Sequence, residues 1–186
     1  MITWESEMSK ALARGKAEQK CVLLDFFSPE CIGCKQMDEV SFAETGVSNF
    51  ITDRVIALRA EVGARNLASD FRVVWTPTLV VLDYYGKEHQ RTVGYIPPDE
   101  LVASLLLGIG KVGFENDQFN EAVIQLNTLL NGFPKSASAP EAVYLRGVAR
   151  YKSSHAVGAL QDTYQQLLAQ YPESKWTRRA EPFSLL

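Results

Sequence analysis

Cys21-Val22-Leu23-Leu24-Asp25-Phe26-Phe27-Ser28-Pro29-Glu30-Cys31-Ile32-Gly33-Cys34-Lys35 is the stretch on which the fold turns. Its first seven residues are apolar apart from Asp25, the run expected of a strand buried on both faces. Ser28-Pro29-Glu30 breaks the run, and Cys31 to about Val40 then reads as a helix. Two cysteines therefore sit at a strand-to-helix junction. A sulfur at the first position faces unsatisfied backbone N–H groups and the positive end of the helix dipole, both of which favour thiolate over thiol. Cys31 is the candidate nucleophile. Cys34, one turn further on and less open to substrate, is positioned to attack a mixed disulfide on Cys31 and is the candidate resolving thiol. Lys35 places a cation beside the pair and Glu30 an opposing anion.

Three further features gather around these cysteines. A carboxylate within an apolar strand costs several kcal/mol unless it is paired or protonated, so Asp25 needs a reason, and relay of the Cys34 proton during exchange supplies one. Pro77, in Trp75-Thr76-Pro77-Thr78, stands just ahead of a hydrophobic strand, where proline sets a turn, sometimes through a cis peptide. Ile32 and Gly33, at an exposed helix start, suit contact with protein substrates. Trp75 reads equally as a docking aromatic or as core. Cys21, inside the apolar run, reads as a small core residue.

Working outward, Glu5 to about Glu18 has helical apolar spacing, Thr45 to Asp53 is a short helix, and Val55 to Val62 a second strand. Ala64 to Phe71 is expected to be helical. Thr78 to Asp83, the turn Tyr84-Tyr85-Gly86-Lys87 and Glu88 to Val93 form a hairpin. Pro97-Pro98-Asp99-Glu100 opens another helix. This order gives an α/β fold, a mixed sheet sandwiched by helices.

Beyond about residue 110 only helical signals remain, and they repeat. Leu129-Leu130-Asn131-Gly132-Phe133-Pro134-Lys135-Ser136 matches Leu167-Leu168-Ala169-Gln170-Tyr171-Pro172-Glu173-Ser174 at an offset of 38 residues. Amphipathic helices precede both tails, and Ala139 to Lys152 supplies another between them, an internal helical-hairpin repeat.

The composition narrows the function. The 186 residues carry 19 basic and 22 acidic side chains, a net charge of −3, with no basic stripe, which argues against a nucleic-acid partner. No segment reaches the ~20 apolar residues of a membrane span. No basic leader and apolar stretch open the chain, so a cytoplasmic home is expected, or a periplasmic one if a signal peptide has been removed. Three cysteines, two of them in Cys-x-x-Cys, argue against a disulfide framework and for redox chemistry or a metal. His89 and His155 are not at ligand spacing and no second Cys-x-x-Cys exists, so no metal site is expected.

With these residues in place, the sequence resembles the thioredoxin family. Leu23 to Lys35 is similar to that family's strand, turn and Cys-x-x-Cys helix, and Thr76-Pro77-Thr78 with the later Gly94 to its cis-proline strand and glycine. Ile2-Thr3-Trp4 and Val40-Ser41-Phe42 are similar to the subgroup that includes soluble domains of thiol-disulfide interchange proteins. The resemblance covers residues 1 to about 110 and implies a thioredoxin-like three-layer sandwich. It also implies a nucleophilic Cys31, a resolving Cys34, an Asp25 that assists proton transfer, and a cis Thr76-Pro77 bond whose backbone pairs with a substrate chain as an added strand. Ile32-Gly33 in place of Gly-Pro, and Glu30 in place of Trp, depart from the pattern. Because family potentials run from about −270 to −120 mV, reductant, oxidant and isomerase all stay open.

The repeats resemble the longer-period tetratricopeptide units of cell-envelope adaptor proteins, through Phe133-Pro134-Lys135-Ser136 and Ala139-Pro140-Glu141-Ala142. Such units bind peptides or proteins. The expectation is thus a thioredoxin-like domain over residues 1–110 and tetratricopeptide-like repeats over 111–186. Its function would be thiol-disulfide exchange with protein substrates, needing no cofactor beyond an external redox partner, with a protein partner recruited by the repeats. The alternatives are an adaptor with a regulatory or vestigial thiol pair and, more weakly, metal transfer through two thiolates.

Overall fold

The apolar run Cys21–Phe27 forms β1, its residues Val22 to Phe26 all buried, in a computed structural model that describes residues 1–63 and 67–186. Val55–Glu61 (β2) pairs with it in parallel, and Thr78–Leu82 (β3) pairs antiparallel on its other side. Glu88–Val93 (β4) folds back on β3, giving a mixed sheet of order β2-β1-β3-β4. Successive strand side chains face opposite ways. Val22, Leu24 and Phe26 therefore meet Ile56, Leu58, Val80 and Leu82 on one face, where Ala11 of α1 (Met8–Glu18) joins them. Leu23 and Asp25 fall on the opposite face and are also buried, so the centre of the sheet is covered on both sides, as the unbroken apolar run requires.

The helix expected from Cys31 to Val40 is two pieces. Cys31 has extended backbone and caps α2 (Ile32–Gln36), which then widens into a π-turn over Met37–Ser41. The turn is closed by Phe42 N–H donating to Met37 O at 2.7 Å. Its cause lies 55 residues away, where Ser41 Oγ donates to Ile96 O at 2.5 Å and the Ile96 N–H points at Met37 Sδ at 3.4 Å. Satisfying both backbone groups of the buried Ile96 fixes where Met37 and Ser41 must point, and a regular helix does not present them together. Thr45–Arg54 follows as α3, begun by Glu44 accepting the Val47 N–H at 2.7 Å. The helix expected over Ala64 to Phe71 is described as α4 (Leu67–Asp70), residues 64–66 lying outside the described residues.

The chain divides into two compact units, Met1–Val102 and Ala103–Leu186. The division falls within α5 (Pro98–Glu115), as does the boundary at residue 110 expected from the sequence. In the second unit α6 (Phe119–Gly132), α7 (Ala139–Ser154), α8 (Gly158–Gln170) and α9 (Lys175–Ala180) follow. The repeat is geometric as well as textual. Phe133 ends α6 at φ −135°, ψ 52°, and Tyr171 ends α8 at φ −137°, ψ 54°. Ser136 N–H donates to Phe133 O at 3.1 Å and Ser174 N–H to Tyr171 O at 3.0 Å. Tyr171 Oη also donates to Pro134 O at 2.5 Å, tying one connection to the other. Gly147 lets α7 and α8 close together, since a Cβ there would lie 1.8 Å from Thr163 Oγ1. No helix among the described residues is long and apolar enough to cross a membrane.

Candidate active site

β1 delivers the chain to Ser28, whose carbonyl accepts the Cys31 N–H at 3.1 Å and turns it into α2. Cys31 then occupies the cap position, and its Sγ accepts the Cys34 N–H at 3.1 Å. One free N–H of the first helical turn, that of Cys34, is thus aimed at the first sulfur, which favours negative charge there. Cys31 and Cys34 form a disulfide, with Cα atoms 5.2 Å apart. Exposure separates the two: Cys34 is 2% exposed, Cys31 is half-buried, and Ile32 between them is 79% exposed.

Beside this turn lies the Thr76-Pro77 peptide, which is cis. A Cβ on Gly33 would come within 3.0 Å of Pro77 Cδ, so the small residue lets the start of α2 close onto the proline. Pro77 O accepts the Gly94 N–H at 2.8 Å, and Gly94 has φ +96°, a conformation favouring glycine. These contacts surround a cleft of about 430 Å³. Cys31, Ile32 and Gly33 form one wall, Trp75, Thr76 and Pro77 another, and Gly94 with Tyr95 a third. Trp75 is 67% exposed, so it belongs to the open rim and not to the core. Tyr95 carries no motif in the sequence; it reaches the cleft because the π-turn anchors its neighbour Ile96.

Asp25 does not line the cleft. It is 1% exposed within the sheet, and Arg59 Nε lies 3.0 Å from its Oδ2. The pair is close but the N–H is poorly aimed, leaving neither carboxylate oxygen with an aligned hydrogen bond. Burial pushes the Asp25 carboxyl up to about 7, against the attraction of Arg59 and with some help from the Asp38 charge. Arg59 is held in place by Asp38 at 2.9 Å and by the Phe27 ring, 4.3 Å away. Sequence reasoning missed Arg59, although the signal existed. It is the one cation in the otherwise apolar opening of β2, and the parallel register sets it directly opposite Asp25.

The other thiol differs in kind. Cys21 stands outside any disulfide, and burial together with the nearby Asp83 carboxylate pushes it up to about 12. His89 is engaged by Asp83, with Nε2 to Oδ2 at 3.0 Å, and does not line the cleft.

Comparison with known proteins adds four matches. A family model described as a thioredoxin-like domain matches residues 8–108. The thiol:disulfide interchange protein DsbD of Ralstonia nicotianae is 30% identical over 111 residues, 56% of this chain and 18% of that protein. Its counterpart in Salmonella typhi is 31% identical over 102 residues, 51% of this chain and 18% of that protein. The chain thus spans less than a fifth of these relatives' length. Among solved structures, a thioredoxin from Thermus thermophilus is 29% identical with a TM-score of 0.51, covering 56% of this chain and 84% of that one.

Proposed function

The chain belongs to the thioredoxin-like domain family, and from that premise we propose that it exchanges disulfides with protein substrates through Cys31 and Cys34. The observation that carries the reading is the unequal pair of sulfurs. One accepts a helix N–H at an open apolar cleft, and the other is bonded to it but closed off from solvent.

Starting from the reduced pair, the Cys31 thiolate attacks one sulfur of a target disulfide. A new S–S bond forms to Cys31, the target's S–S bond breaks, and the second target sulfur leaves as thiolate. Cys34, deprotonated, then attacks Cys31 Sγ and expels the first target sulfur. The Cys31–Cys34 disulfide is left behind and two electrons have passed to the target. The reverse sequence oxidises a target dithiol, and the direction follows the potential of the partner couple. A dithiol reductant or disulfide oxidant from outside the chain restores the starting state. Asp25, charged or neutral near pH 7, is suited to hold the proton that Cys34 gives up, with the Arg59 guanidinium 3.0 Å from it. Ile32, Gly33, Trp75, Thr76 and Pro77 would contact the target segment, with backbone at Thr76 pairing to it as an added strand. The helical repeats of the second unit would recruit a protein partner.

The test is covalent trapping. Cys34→Ser should arrest exchange at the mixed disulfide, so that proteins from a cell extract accumulate on Cys31 and are released by reductant. The wild-type chain should speed reduction of a model protein disulfide by dithiothreitol, and Cys31→Ser should abolish both effects. No trapped protein, together with no acceleration by the wild-type chain, would refute the exchange reading and favour the adaptor.

A further inference from the structure

We infer that Glu30 gives the cleft a charge preference, favouring target segments with a Lys or Arg beside the reacting cysteine. This rests on the reading of Cys31 and Cys34 as an exchange site. Among the described residues lining the cleft, Glu30 alone carries a charged side chain. The rest are apolar or neutral, and three of the largest, Ile32, Trp75 and Tyr95, are 79%, 67% and 42% exposed. A segment laid across those walls displaces water from them, which lowers the local dielectric around the one carboxylate on the rim.

That carboxylate is also uncommitted. Glu30 is exposed and forms no ion pair or side-chain hydrogen bond with any described residue. Lys35, the nearest cation in sequence, does not line the cleft. Glu30 directly precedes the attacking residue, so its Cα is about 3.8 Å from that of Cys31. A residue flanking the target cysteine in the mixed disulfide must pass close to it. A cation there gains an ion pair in a partly dry cleft, whereas an anion meets a like charge. A partly exposed pair of this kind is expected to change kcat/KM by about 3- to 5-fold, equivalent to about 0.6–1 kcal/mol at 1.36 kcal/mol per tenfold.

A charge change at position 30 would also act on a Cys31 thiolate one residue away and alter rates with every substrate, so the informative quantity is a ratio. Short peptides with one cysteine, flanked by Lys, Gln or Glu and oxidised to their symmetrical disulfides, serve as probes. Each is reduced by the full chain with dithiothreitol as electron source, and each rate is divided by the uncatalysed rate for that peptide. The wild-type chain should prefer Lys over Gln and Gln over Glu, about 3- to 5-fold at each step, with the order fading near 1 M NaCl, where the Debye length is about 3 Å. Glu30→Gln should bring the three within about 1.5-fold, and Glu30→Lys should invert the order. Equal rates for all three peptides with the wild-type chain, or an order unchanged in both variants, would overturn the inference while leaving the exchange reading intact. Failure to reduce the Gln peptide at all would overturn the exchange reading, and the charge preference with it.

Discussion

Asp25→Asn removes a charge from the centre of the sheet while keeping the side chain's shape, and its effect follows from the competition between burial and Arg59. Burial wins, lifting the carboxyl from 3.8 to about 7. A raised value in the folded chain means that this group's contribution to stability is full below about 3.8. It declines as the pH rises and is lost above about 7. A displacement of about three pH units at 1.36 kcal/mol each bounds the loss at about 4 kcal/mol. Asparagine escapes this loss, so the variant should gain on wild type as the pH rises. The gap between them should widen by about 2–3 kcal/mol between pH 5 and 8.5. The assay is urea unfolding of the oxidised full chain, read through hydrogen exchange of the Val22 to Phe26 amides so that only the unit holding Asp25 is followed. A variant less stable than wild type at pH 8.5, or a gap that does not change with pH, would refute the reasoning. It would mean that Arg59, at 3.0 Å, pairs well enough to keep the carboxylate ionised in the fold.

Two other perturbations test the packing around and beyond the site. Ser41→Ala removes the donor to Ile96 O and leaves that carbonyl without its partner. It should cost about 1–3 kcal/mol in thermal unfolding and lower kcat/KM through the displaced Tyr95, and a change below about 0.5 kcal/mol would dismiss the anchor. Gly147→Ala drives a methyl group to within 1.8 Å of Thr163 Oγ1. It should destabilise the helical unit by about 3 kcal/mol or more, with part of the loss recovered in the double variant carrying Thr163→Ala. Strict additivity of the two changes would show that the helices relax elsewhere.

The parts of the molecule legible in the sequence are those set by neighbours in the chain. β1 and β3 announce themselves as apolar runs because both of their faces are covered, and the paired cysteines follow β1 at a helix start. The C-terminal repeat is legible for a different reason, since Phe133 and Tyr171 must adopt the same backbone conformation to end their helices. What escapes the sequence is long-range. Asp25 stands out as an anomaly, but its partner is set by the register between β1 and β2, which no local pattern encodes. The π-turn is hidden because Met37-Asp38-Glu39-Val40-Ser41 reads as ordinary helix; the demand comes from Ile96, across the fold. Tyr95 enters the cleft by that same contact, so its wall cannot be read from the motif that names the other two.

Two half-buried cysteines, Cys21 a free thiol and Cys31 in the disulfide, show how location bears on reactivity. Cys21 opens β1 and Cys31 follows its other end, ten residues later. At Cys21 the sulfur is packed into the sheet near the Asp83 carboxylate, and both burial and that charge oppose ionisation, so at neutral pH it stays a thiol. At Cys31 a backbone N–H is directed at the sulfur from the first turn of α2, and the surroundings open into the cleft instead of closing over it. A thiolate is the attacking species in disulfide exchange, and of the two environments only the second would supply one where a target can reach it. Asp83 itself is held by the opposite logic to Asp25. Burial works against its ionisation too, but His89 and the N–H groups of Lys87 and Tyr85 bind the carboxylate and keep it below the usual range. Among the described residues the fold thus carries two buried acids, one fully bonded and fixed in charge, the other imperfectly met by Arg59 and free to take up a proton near neutrality. The proposed proton relay would need the second kind, and it is the one in the strand that leads directly into the cysteine pair.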